Sequence, residues 1–99
     1  MSYVVVVAQS AQEQFQKLDA RWRLALKCAM REHLQTAPAK LSKSRIKRLR
    51  GLRQPQYRLR VDEMRVFYDI NEPAKRGEVL SFVEKPETSQ WLQDYRVPE

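Results

Sequence analysis

Ninety-nine residues, 42% hydrophobic and 31% charged, predict one folded domain spanning residues 1–99, too short for two domains and too apolar for a disordered chain. The single cysteine, Cys28, excludes an internal disulfide and a cysteine-built metal site, and the formal charge of +7 points to an anionic partner. The apolar run from Tyr3 to Ala8 has no basic segment before it and is far too short for a signal peptide or a membrane helix, so a cytoplasmic protein with no membrane partner is expected.

That run is β-branched and apolar without alternation, the pattern of a strand covered on both faces inside a sheet. Ser10-Ala11-Gln12-Glu13 matches a capping box and predicts a helix from Ala11. Phe15, Leu18, Trp22, Leu26, Ala29, Met30 and Leu34 recur at steps of three and four, a single stripe for packing on a sheet. Asp19 is a candidate second cap, which leaves one helix or two, and Pro38 closes the helical region. Ala39 to Gln56 is basic, polar and broken by Gly51 and Pro55; it predicts a long loop with at most a short strand around Ile46 to Leu49.

The period then changes to two. Tyr57, Leu59 and Val61 alternate with Arg58, Arg60 and Asp62, and Met64, Val66, Tyr68 and Ile70 with Arg65, Phe67 and Asp69. A hairpin turning on Asp62 and Glu63 pairs Arg60 with Arg65 and puts every apolar residue except Phe67 on one face. Asp-Glu is a poor two-residue turn, but a register shift of one would mix the faces. A looser turn from Asn71 to Gly77, a strand from Glu78 to Glu84 and a short helix opened by Pro86 and anchored by Trp91, Leu92 and Tyr95 complete the order β-α-α-β-β-β-α. The predicted class is α+β, with a mostly antiparallel sheet, the N-terminal helices on one face and a short C-terminal helix.

Charge is concentrated on this hairpin. From Lys40 to Arg65 there are ten cations against two carboxylates, a net +8 where the whole chain carries +7. Arg58, Arg60 and Arg65 fall on the face opposite the helices, and like charges opposed across strands destabilise a sheet by about 0.2–1 kcal/mol. Guanidinium forks suit phosphate oxygens, so phosphate recognition is the functional reading. The alternative is a solvated face neutralised by Asp62, Glu63, Asp69 or Glu84. Phe67, on the arginine face, is a candidate for base stacking or for cover by the terminal helix. His33, alone on a helix, and Cys28, without a histidine partner, read as structural. No His or carboxylate cluster has metal-ligand spacing, and no cofactor is expected.

Lys17-Leu18-Asp19, Arg48-Leu49-Arg50-Gly51-Leu52, Tyr57-Arg58-Leu59-Arg60-Val61 and Met64-Arg65-Val66-Phe67-Tyr68, in this order, resemble the RelE branch of the RelE/ParE superfamily, the toxins of bacterial type II toxin–antitoxin pairs. The likeness runs from Tyr3 to about Leu92. It implies a ribosome-dependent endoribonuclease that cuts mRNA in the ribosomal A site and is silenced by a cognate antitoxin, through which the complex binds operator DNA. The family's two basic residues on the strand after the RLRG motif fall on Arg58 and Arg60, and its transition-state arginine on Arg65. Lys47, Arg48, Arg50, Arg53 and Lys85 complete the expected nucleic-acid-binding set. The family's further C-terminal arginine and tyrosine have no counterparts between Glu84 and Leu92, where proline and leucine stand; Lys85, Trp91 and Tyr95 are the residues available to substitute. Two rivals are a gyrase inhibitor of the ParE type and a non-catalytic module that binds RNA or an acidic antitoxin. An antitoxin segment is expected to cover the basic face or displace the terminal helix.

Overall fold

The computed structural model describes residues 2–42 and 44–99; Lys43, one of the cations of the basic run, lies outside them. Strand β1 (Val4–Val7) leads into helices α1 (Gln9–Lys17) and α2 (Ala20–Ala29), the latter extended by a π-helical turn, Met30–Leu34. Strands β2 (Ile46–Arg48), β3 (Leu52–Gln54), β4 (Tyr57–Val61), β5 (Met64–Asn71) and β6 (Arg76–Glu84) follow. A 3-10 turn, Lys85–Glu87, then leads to α3 (Thr88–Tyr95) and β7 (Val97–Pro98). The main sheet has the order β1-β6-β5-β4-β2, with β1 parallel to β6 and the other neighbours antiparallel. This is the expected α+β class, with two extra short strands.

The helical stripe packs on one face of the sheet. Leu26 and Leu34 from the helices meet Leu59, Val66, Tyr68 and Val79 from the strands in one buried cluster. Burial of such side chains is worth about 1.5–3 kcal/mol each and holds the two layers together. Tyr68 ties the core to the loop that follows the helices, its hydroxyl donating to Pro38 O at 2.6 Å. Burial, then the neighbouring Tyr57, raises the Tyr68 phenol far above its ordinary pKa, so it remains a donor at every physiological pH.

Three expectations are corrected. β1 is an edge strand, not an interior one: Val4 and Val6 are 63% and 43% exposed while Val5 and Val7 turn toward the core. Four consecutive valines hide this alternation. The first helix starts at Gln9, not Ala11, and Ser10 supplies no cap. Ala8 N still donates to Val79 O in the sheet, so the chain passes from strand to helix within one residue, and the Gln12 side chain donates to Val7 O. Finally, β3 and β7 pair with each other inside and beyond the stretches read as loop and terminal helix. Strands of three and two residues are too short to show a period.

Asp19 settles the helix question. Leu18 is extended, and the Asp19 carboxylate accepts the Trp22 amide at 3.0 Å, so a second helix starts there. Asp19→Ala is expected to lower unfolding free energy by about 1 kcal/mol, measured as a shift in the urea midpoint at unchanged slope.

Candidate nucleic-acid interface

The hairpin adopts the register that alternation dictates: Tyr57 opposite Tyr68, Arg58 opposite Phe67, Leu59 opposite Val66, Arg60 opposite Arg65 and Val61 opposite Met64. Leu59, Val61, Met64 and Val66 enter the core, so Arg58, Arg60, Arg65 and Phe67 lie on the other face. The turn forms despite its chemistry because Asp62 takes a left-handed φ of 52°, a conformation aspartate tolerates better than most residues. β2 adds Lys47 directly opposite Arg58 on the arginine face. Two like-charged pairs therefore stand side by side across three strands.

The cations differ in exposure. Lys47 and Arg60 are open to solvent, Arg58 is half-buried and Arg65 is only 7% exposed. Arg65 Nη1 donates to Asp62 O at 2.8 Å and to Met64 O at 3.0 Å, fixing the guanidinium beside the turn. Arg58 Nε is buried without a hydrogen-bond partner. Burial, then the charges of Arg65 and Arg60, hold the Arg58 guanidinium below its ordinary pKa. Arg58 nevertheless remains a cation at neutral pH, because an arginine starts far above neutrality.

Nothing among the described residues neutralises this cluster. The ion pairs there are made by Glu32, Glu72, Glu78 and Glu99 with other cations. Asp69 shares the face by alternation, but its oxygens accept the Gln56 amide and the Gln54 side chain, both at 2.8 Å. The neutralised-face alternative thus lacks its ion pairs. Arg58→Met keeps an unbranched apolar stem while removing the repulsion and the unpaired donor. It is expected to stabilise the fold by about 1 kcal/mol, read as a higher melting temperature, with weaker RNA binding in the same preparation.

The remaining predicted contacts divide. Arg50 and Arg53 are exposed. Lys85 is exposed and tied to the hairpin turn, its amide donating to Glu63 O at 2.8 Å. Arg48 faces the other way: it pairs with Tyr57 in register, donates through Nη1 to Leu49 O and Gln56 O, lies 5.4 Å from the Tyr57 ring centroid and reaches Glu99 at 3.9 Å. Its Nη1 donors are spent inside the chain and its Nη2 lies nearest Glu99. Phe67 is fully buried under Trp91, the rings 4.7 Å apart and 12° from parallel, and Tyr95 follows at 5.4 Å from Trp91. Phe67 is thus covered by the terminal helix and not offered to a base.

His33 and Cys28 sit in the helical layer, away from the arginine face, with His33 Nε2 3.8 Å from Glu32. Among the described residues no group of three His, Cys, Asp or Glu could hold a metal, and no helix is long and apolar enough to cross a membrane. Sequence reading missed the anchoring of Arg65 and the Asp69 bridge to Gln54 and Gln56. For the first, the available signal was an aspartate at a turn position that prefers a positive φ.

No family model and no curated protein sequence matches the chain. Solved structures do. A RelE–RelB complex from the archaeon Pyrococcus horikoshii is similar at a TM-score of 0.70 and 23% identity, over 86% of this chain and 97% of that one. A mutant of the Escherichia coli toxin RelE in the free state is similar at 0.70 and 23%, over 94% and 93%. The toxin–antitoxin complex RelBE2 from Mycobacterium tuberculosis is similar at 0.68 and 21%, over 85% and 99%. The chain has the fold of these RelE structures.

Proposed function

We propose that this chain is the toxin of a type II toxin–antitoxin pair, a ribosome-dependent endoribonuclease that cuts mRNA in the A site, inhibits translation in the cytoplasm and is neutralised by a cognate antitoxin. The observation that carries this reading is the cation row Lys47, Arg58, Arg60 and Arg65 on one sheet face, without a carboxylate partner among the described residues, in a fold shared with RelE toxins.

In the reaction, a ribose 2′-oxygen attacks the adjacent phosphorus, the bond to the 5′-oxygen breaks and a cyclic phosphate remains. Arg65 stabilises the charge that develops on the phosphoryl oxygens, while Arg58 and Arg60 hold the backbone in place. Lys47, Arg50, Arg53 and Lys85 neutralise flanking phosphates. Arginines stay protonated and do not act as the base, so the 2′-hydroxyl proton leaves to water or a ribosomal group and the departing 5′-oxygen takes one from the same sources.

Two of the similar structures are complexes with an antitoxin. By the same reading, an acidic segment of this chain's antitoxin covers the arginine face or displaces α3, and the pair binds operator DNA through the antitoxin. Primer extension on mRNA from programmed ribosomes is the test. Cleavage by the wild-type chain, abolished by saturating antitoxin, supports the reading. Ribosome binding without cleavage supports the non-catalytic alternative.

A further inference from the structure

We propose that Asp62 is a positioning residue for Arg65, acting through its backbone and not its carboxylate; this rests on the nuclease reading above. Arg65 carries five N–H donors in a planar fork. Both donors of Nη1 are taken, one by Asp62 O at 2.8 Å and one by Met64 O at 3.0 Å. What remains is the edge formed by Nε and Nη2, the pair of parallel donors that grips two oxygens of a phosphate. Arg65 as a residue is 7% exposed, and its strand is locked by the register with β4. Arg65 is thus a fork with one prong fixed to the turn.

The acceptor exists because of the turn. Asp62 has φ of 52°, and this left-handed conformation orients the peptide that follows, whose carbonyl receives Nη1. The Asp62 side chain is exposed and makes no ion pair among the described residues. The residue type therefore matters for its tolerance of a positive φ. Glycine and asparagine keep that conformation, alanine strains it and a β-branched residue strains it more.

The experiment compares Asp62→Gly, Asp62→Asn, Asp62→Ala and Asp62→Val in two assays. The first is cleavage of mRNA on programmed ribosomes, with kcat and KM separated. The second is NMR of the arginine guanidinium groups in the isolated chain, where a held Arg65 shows distinct Nη1 and Nη2 signals and a freely rotating one shows a merged signal. Glycine and asparagine are expected to cleave within about threefold of wild type with resolved Arg65 signals. Valine is expected to lose about tenfold or more in kcat at a KM within about threefold, with merged signals, and alanine to fall between.

The proposal is overturned if valine cleaves like wild type, if its Arg65 signals stay resolved, or if asparagine loses as much as valine, which would assign the effect to the carboxylate. Should valine fail to fold, alanine against glycine decides the same question. Should the wild-type chain not cleave at all, the nuclease reading falls, while the NMR comparison still decides whether the turn holds Arg65.

Discussion

Arg65→Ala is expected to lower ribosome-dependent cleavage by a factor of about 10²–10³, about 3–4 kcal/mol of lost transition-state stabilisation. The size follows from where the side chain sits. In the proposed reaction Arg65, a residue 7% exposed and held by two carbonyls, meets developing charge in a partly dehydrated setting and needs no reorganisation at that moment. Arg65→Lys keeps the charge and loses the fork, so it should recover only part of the rate. Both substitutions also release the Asp62 and Met64 carbonyls, at a stability cost of about 1 kcal/mol, so rates are to be compared at temperatures where circular dichroism shows each variant folded. A folded Arg65→Ala that cuts within threefold of wild type would place charge stabilisation on another residue.

The same arginine shows where sequence reading stops. Alternation assigned it to a face and opposite Arg60, because a slip of one residue would have mixed apolar residues such as Leu59 and Val66 with the charged ones on each face. Its depth was not legible, since a two-residue period says which side a residue takes and nothing about what covers that side. On that side α3 covers Phe67 through Trp91, a contact that joins residues 24 positions apart by ring stacking without any periodic signal.

Proximity along the chain misled in the opposite direction for Arg48. The run Lys47-Arg48-Leu49-Arg50 reads as one basic patch, yet β2 is a strand, and its register sends Lys47 to the arginine face and Arg48 to the other. The core, by contrast, was almost wholly legible, because Leu26, Leu34, Leu59, Val66 and Tyr68 occupy the stripe and the alternating positions that burial demands. The Asp19 cap was legible too, since a side-chain acceptor at a helix start is a local matter. The β3–β7 pairing was not, because it depends on where α3 delivers the chain after Tyr95.

The second large effect is expected at that delivery point. Trp91→Ala should cost about 2–4 kcal/mol of unfolding free energy. Trp91 caps Phe67, which has no exposed surface, and carries Tyr95 on its far side. With the indole gone, Phe67 opens to water. An eight-residue helix with no side-chain cap at its N-terminus cannot hold itself, so α3 loses its reason to be helical as well as its dock. The loss should spread to β7 and the Glu99 contacts with Gly51 and Arg48, while the buried cluster on the opposite face keeps its packing. Hydrogen exchange distinguishes this outcome from general weakening: amides of Leu92 to Arg96 should lose protection first and those of Val66 and Tyr68 least. Protection that falls equally on both faces, or a midpoint shift worth under about 1 kcal/mol, would mean that α3 is held by something other than the Trp91 stack.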